Sequence, residues 1–87
     1  MKLLHVHERA AFHGGVEQIL YDTARGLSAR GWQQALLHVE TQTDGGFLAP
    51  FSDASNDTGI LSRFNPDVVL LHKVSDMDLV SAITRRF

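Results

Sequence analysis

The stretch LLHVHERAAFHGGVEQILYDTARGLSARG, residues 3–31, decides the fold of this 87-residue chain. It opens with a short apolar run, Leu3 to His7, which predicts a buried strand. A polar turn and the pair Gly14-Gly15 follow, and apolar residues then recur at helical spacing, which predicts a helix from Val16 to Arg30. Gly31 is the residue type that most often follows a helix. The chain therefore begins with a strand, a glycine-rich turn and a helix.

The predicted helix has two faces of different character. We expect the apolar face to pack on the sheet, and it carries Val16, Ile19, Leu20, Thr23, Ala24 and Leu27. The opposite face carries the polar residues Glu17, Gln18, Asp22, Arg25, Ser28 and Arg30. A negative charge in the first turn and a positive one in the last turn complement the helix dipole. Gly26 inside the helix is unfavourable relative to alanine, and one explanation is a close approach to the sheet.

Two further apolar runs predict two further buried strands, at Gln33 to Val39 and at Val68 to His72. The apolar patch at 47–51 between them is compatible with a short edge strand or with a packed loop. Strands that are apolar throughout and alternate with helices are typical of a parallel sheet covered on both faces. The sequence therefore predicts an α/β fold, a partial Rossmann-like parallel sheet in the order β-α-β-α-β-α.

Two short helices complete this pattern. Ile60, Leu61 and Phe64 predict a helix after a cap at Asp57 or Thr58, and Pro66 prevents its continuation. A capping-box-like pair, Ser75 and Asp78, predicts a last helix that runs toward Phe87.

Composition excludes several classes of protein. The formal net charge is −2 and the basic residues are scattered, so no nucleic-acid partner is expected. There is no cysteine, which excludes disulfides and thiolate metal sites. No apolar run approaches the ~20 residues needed to cross a bilayer. We expect a cytoplasmic protein, with peripheral attachment to the inner face of a membrane left open, and self-association through exposed sheet edges.

Chemistry in such a sheet is expected beyond the carboxyl ends of its strands. Glycines that open a helix let a ligand approach the backbone, and the free N–H groups of the first turn attract anions. The dinucleotide fingerprint and the P-loop are both missing, which argues against a dehydrogenase or an NTPase. The candidate residues at this edge are the glycines Gly14 and Gly15 and the polar residues His7, His13, His72 and Lys73.

Three segments together carry a family resemblance: His13 to Leu20, Leu27 to Trp32, and Asn65 to His72. In that order they resemble the N-terminus of family 4 (group 1) glycosyltransferases, which have the two-domain GT-B fold. The resemblance implies that residues 1–87 are an incomplete N-terminal, acceptor-side domain and that the donor-binding C-terminal domain is absent. It implies a retaining enzyme that moves a sugar from a nucleotide-sugar donor to an acceptor without an obligatory metal or other cofactor.

The same resemblance implies places for particular residues. Gly14 and Gly15 would approach the donor diphosphate, and the strand at Val68 to His72 would lie beside the first strand. The catalytic residues stay unknown, because the family's histidine near the reacting sugar usually comes from a later strand. The chain alone is expected to be inactive.

Two alternatives to the transferase stay open. His5 and His7 share one face of a strand, and five histidines in the chain raise the hypothesis of a metal hydrolase fragment. Imidazole binds zinc, but the remaining ligands are unaccounted for, so no metal site is assigned. The other alternative is a standalone α/β binding module without catalysis.

Overall fold

The computed structural model describes residues 1–86 and contains four strands and four helices in that range. The strands are β1 (Lys2–His7), β2 (Gln33–His38), β3 (Asp53–Ser55) and β4 (Val68–Leu71). The helices are α1 (Gly15–Ala29), α2 (Gly45–Leu48), α3 (Ile60–Phe64) and α4 (Met77–Arg86). No helix among these residues is long and apolar enough to cross a membrane.

All four strands are parallel, and their order across the sheet is β3-β2-β1-β4. β1 is central, with Val6 opposite Leu37 of β2 on one side and opposite Leu71 of β4 on the other. The predicted α/β class and parallel sheet are confirmed, and so is the position of the Val68 strand beside the first strand. The edge strand is Asp53–Ser55, so of the two alternatives for 47–51 the edge strand is wrong.

The first two residues of the segment 47–51, Phe47 and Leu48, belong to the short helix α2, which Asp44 caps. The Asp44 carboxylate accepts a hydrogen bond from the N–H of Gly46 at 2.8 Å. This cap stabilises the first turn of the helix, and a helical backbone cannot pair as a strand. The ring of Phe47 is fully buried beneath this turn. The apolar character of the patch therefore reflects burial by packing, while the more polar Asp53–Ser55 forms the strand edge.

The sheet is covered on both faces. On one face, β1 and β2 pack against α3 and α4 through a cluster of buried apolar residues, namely Leu4, Val6, Ala35, Leu37, Ile60, Leu61, Phe64 and Ile83. On the other face, Leu36 packs with Leu20 of α1 and with Phe47. β4 is the exception, since Val68, Leu70 and Leu71 are 37%, 40% and 45% exposed.

The inward face of α1 differs from the predicted one. Leu20 and Ala24 are buried as expected, but Val16 and Ile19 are 45% and 68% exposed. Glu17, predicted on the solvent side, is instead buried at 3% exposure. The helix is therefore rotated so that a carboxylate, rather than Val16, faces the sheet in its first turn.

The ends of the helices follow the sequence signals with two exceptions, the N-terminal caps of α3 and α4. Gly31 ends α1 with φ 87°, and Asn65 ends α3 with φ 50°, both in the left-handed region that these residue types tolerate. The N-cap of α3 is Gly59, without a side-chain cap, so the predicted cap at Asp57 or Thr58 is wrong; Asp57 instead accepts a hydrogen bond from the N–H of Gly59 in the preceding turn. The cap of α4 is Asp76, whose carboxylate accepts from the N–H of Leu79, so the predicted Ser75–Asp78 pair is wrong.

Candidate functional site

The site lies at the carboxyl ends of β1 and β4. β1 continues into α1 and then β2 on one side, while β4 lies on its other side, which makes the gap between β1 and β4 a topological switch point. The loop after β1 is bonded to the loop after β4, because the N–H of Glu8 donates to the carbonyl of Lys73 at 2.9 Å. Residues from the ends of two strands and from the start of α1 therefore meet at one edge.

His7 and Glu17 form a buried pair at this edge. His7 is 0% exposed, and its Nε2 lies 2.6 Å from Oε2 of Glu17. The backbone N–H of Lys73 donates to Nδ1 of His7 at 3.3 Å, so Nδ1 is an acceptor and Nε2 carries the proton given to Glu17. Burial raises the pKa of Glu17, but the hydrogen bond from His7 and the positive charge of Arg9 outweigh it and leave the pKa below its ordinary value. Glu17 is thus held as a carboxylate.

A series of side-chain hydrogen bonds runs from His72 inward through His5 to Gln34, and we call it the His72 relay. Nε2 of His72 lies 2.9 Å from Nδ1 of His5, and Nε2 of His5 lies 2.6 Å from Oε1 of Gln34. The Gln34 amide donates to the carbonyl of Ala24 at 2.7 Å. His5 is 0% and Gln34 1% exposed, while His72 is half-buried. The rings of His72 and His5 are nearly parallel, at 19°, with centroids 5.1 Å apart, which is the geometry of two imidazoles joined edge to edge by this hydrogen bond.

The two histidines of the His72 relay, His5 and His72, are neutral at pH 7. Burial lowers the pKa of His72 to about 4, with smaller contributions from His5 and His7. Burial also lowers the pKa of His5, against a smaller opposing effect of its bond to Gln34. A neutral imidazole has one donor and one acceptor nitrogen, so each ring in the His72 relay has a defined direction.

The two glycines before α1 have room around them. Gly14 is extended (φ −166°, ψ −163°) and provides no side-chain cap to α1, while the N–H of Glu17 faces its own carboxylate. A Cβ at Gly15 would meet nothing within 4 Å, and a Cβ at Gly14 would lie 3.8 Å from the Glu17 carboxylate. Gly26 has the same freedom as Gly15, so the expected close approach to the sheet is wrong. The fold itself does not require a glycine at position 14 or 15.

Comparison with known protein families, with curated proteins and with solved structures finds no match to this chain.

Glu8 fixes the loop that carries Lys73. Its carboxylate accepts hydrogen bonds from the hydroxyl of Ser75 at 2.6 Å and from the N–H of the same residue, and these bonds lower the pKa of Glu8. Ser75 is therefore used to hold the β4–α4 loop and not to cap α4. Lys73 contributes its backbone to the site, and its side chain is exposed.

The structure brings together His7, His72 and the Lys73 backbone, and places the Gly14-Gly15 turn directly before Glu17. His13 is exposed and lines a separate cavity of about 260 Å³ on the β2 side of the turn, with Arg9 and Glu40. No group of three potential metal ligands occurs in residues 1–86, so the metal hydrolase hypothesis gains no support there.

Sequence reasoning missed Glu17 and Gln34. One signal was available for Glu17, namely an acidic residue in the first helical turn directly after a strand that ends in histidine. For Gln34 the signal was an amide placed two residues before Leu36, and so on the same face of a strand whose next three residues are apolar.

Proposed function

We propose that this chain is the acceptor-side N-terminal segment of a retaining glycosyltransferase, which transfers a sugar from a nucleotide-sugar donor in the cytoplasm. The observation that carries the proposal is a pair of glycines that the fold does not need. Both open α1 at the switch point, beside amide groups without a side-chain cap. A ligand that needs a bare backbone and exposed N–H groups, such as a diphosphate, accounts for them.

The test uses the natural protein in full, isolated from its source. Its intact mass is measured first, since the proposal requires a mass several times the 9.6 kDa of this chain. The protein is then incubated with uridine, guanosine, adenosine and thymidine diphosphate sugars, and the release of nucleoside diphosphate is followed. Release with one donor is expected, and release with none contradicts the proposal.

Gly15→Val tests the role of the turn, and Gly26→Val is its matched control. Both glycines lie in α1, and a Cβ at either position meets nothing within 4 Å, so both variants are expected to fold. Only Gly15→Val places a branched side chain against the proposed diphosphate, and we expect its kcat/KM to fall on the order of 100-fold. Equal rates for the two variants would refute the proposed role of the turn.

A second function, a standalone α/β binding module, is favoured by one observation. β4 is an edge strand with exposed apolar residues, which is a surface suited to pairing with another chain. A natural mass near 9.6 kDa would favour this module over the transferase.

A further inference from the structure

We propose that His72 is a fixed hydrogen-bond acceptor that receives a hydroxyl group of a phosphorylated sugar through Nδ1, and that His5 and Gln34 are positioning residues that fix its tautomer. The ligand class rests on the proposed function, whereas the tautomer follows from the hydrogen bonds of this chain alone.

The donor and acceptor roles in the His72 relay are set at its inner end, where Gln34 meets the carbonyl of Ala24. The Ala24 carbonyl can only accept, so the nitrogen of the Gln34 amide must face it and Oε1 must face His5. Oε1 can only accept as well, which places a proton on Nε2 of His5. Because His5 is buried and neutral, its Nδ1 is bare.

The roles assigned to His5 in turn fix the position of the proton on His72. The bare Nδ1 of His5 requires Nε2 of His72 to carry the proton at the 2.9 Å contact. The neutral His72 ring then leaves Nδ1 as its only acceptor. That atom has no hydrogen-bond partner among the described residues, and no buried side-chain nitrogen or oxygen in this part of the chain lacks one. Nδ1 is therefore accessible to a ligand in the plane of the ring, at the edge that does not face His5.

The surroundings define what Nδ1 can bind. A neutral acceptor takes an O–H or N–H donor and repels the lone pairs of an anion. The start of α1 lies near His72, because the ring of His72 contacts His7 and His7 bonds to Glu17. The N–H groups before Glu17 in this first turn receive no side-chain cap from Gly14 and are donors suited to a phosphate oxygen. A molecule with a hydroxyl group next to a phosphate, such as a sugar phosphate, matches both.

The tautomer is measured directly by NMR on the ¹⁵N-labelled chain at pH 7.5, using two-bond correlations between ring nitrogens and ring protons. We expect a pyridine-like shift for Nδ1 of His72 and a pyrrole-like shift for Nε2. The reverse assignment, or an equal mixture of the two tautomers, would overturn the relay. Neither outcome depends on whether the protein is a transferase.

Two variants of the same residue separate ligand contact from the relay. In His72→Gln the amide nitrogen reaches the position of Nε2 and can still donate to His5, but the acceptor at Nδ1 is lost. In His72→Asn the amide oxygen occupies the position of Nδ1, and the donor to His5 is lost. Because His72 is half-buried, both variants are expected to fold.

Glucose 1-phosphate is then titrated into the three labelled proteins. We expect shifts at Gly15 and Lys73 and, in the wild type, at Nδ1 of His72. The affinity should fall roughly tenfold in His72→Gln and less in His72→Asn, because one hydrogen bond is worth about that factor. Equal affinity of His72→Gln and wild type, or no shift at Nδ1, would overturn the ligand assignment. Failure of the transferase proposal appears separately, as the absence of nucleoside diphosphate release.

Discussion

Lowering the pH from 7 to 5 should destabilise this fold through His72. The pKa of His72 is about 4 in the folded protein and 6.5 in the unfolded chain, so the unfolded state binds more protons throughout this window. The stabilisation is complete above pH 6.5 and is lost progressively as the pH falls toward 4. The pKa of His5 is also lowered by burial, so His5 acts in the same direction.

The magnitude follows from the shift. A difference of about 2.5 units between 6.5 and 4 corresponds to at most about 3.4 kcal/mol, at about 1.4 kcal/mol per unit. Between pH 7 and pH 5 the same linkage gives about 1.8 kcal/mol. Since His72 is only half-buried, solvent screening reduces its share to about 1 kcal/mol.

The assay is urea unfolding followed by circular dichroism at pH 7, 6 and 5, with His72→Gln as the control. With an m-value of about 1 kcal/mol/M, the wild-type midpoint should fall by about 1 M more than that of the variant. The range stops at pH 5 because Glu8 and Glu17, whose pKa values lie below 4.5, lose their contribution to stability only at lower pH. A wild-type midpoint that falls no more than the variant's would refute the neutral, buried state of His72.

Two other changes test the site and the sheet edge. Glu17→Ala leaves the buried Nε2–H of His7 without an acceptor and should reduce the free energy of unfolding, measured by chemical denaturation, by about 1–3 kcal/mol. Glu17→Gln keeps an acceptor and should reduce it less, and equal losses in the two variants would contradict the His7–Glu17 pair. Leu70→Lys places a charge on the free edge at β4 and should reduce the self-association seen by sedimentation velocity, and a wild-type chain that stays monomeric at high concentration would contradict the edge as an association surface.

The sheet could be predicted from the sequence because its strands are apolar on both faces. Runs such as Val68 to Leu71 contain no polar residue that would favour a solvent face, and the intervening helix periodicity requires parallel crossovers. The place of β4 beside β1 came from the family resemblance, since the residues of the two strands do not encode their neighbours. The edge strand β3 could not be predicted, because three residues, Asp53–Ser55, carry no periodic signal.

The orientation of α1 was ambiguous in the sequence for a physical reason. Leu20 and Ala24 belong to two overlapping faces, one completed by Val16 and Ile19 and the other by Glu17 and Tyr21. Hydrophobicity favours the first face, since a buried carboxylate without a partner is strongly unfavourable. The second face is adopted because His7, at the end of the central strand, supplies that partner at 2.6 Å. The decisive contact depends on a strand position that helix periodicity does not contain.

The His72 relay could not be predicted from the sequence for the same reason. Its polar residues also indicate a function for the carboxyl edge of the sheet. Its members are separated by 29 and 67 positions along the chain and meet only because β1 pairs with both β2 and β4. Buried polar groups that are fully partnered add little net stability, and apolar residues of the same shape could often replace them. The buried residues of this face are apolar at Leu20 and Leu36 but change to polar along a line from Gln34, near the start of β2, through His5 to His72 at the switch point. A stable core does not need that change, whereas a ligand site that must hold neutral and charged groups in fixed orientations does.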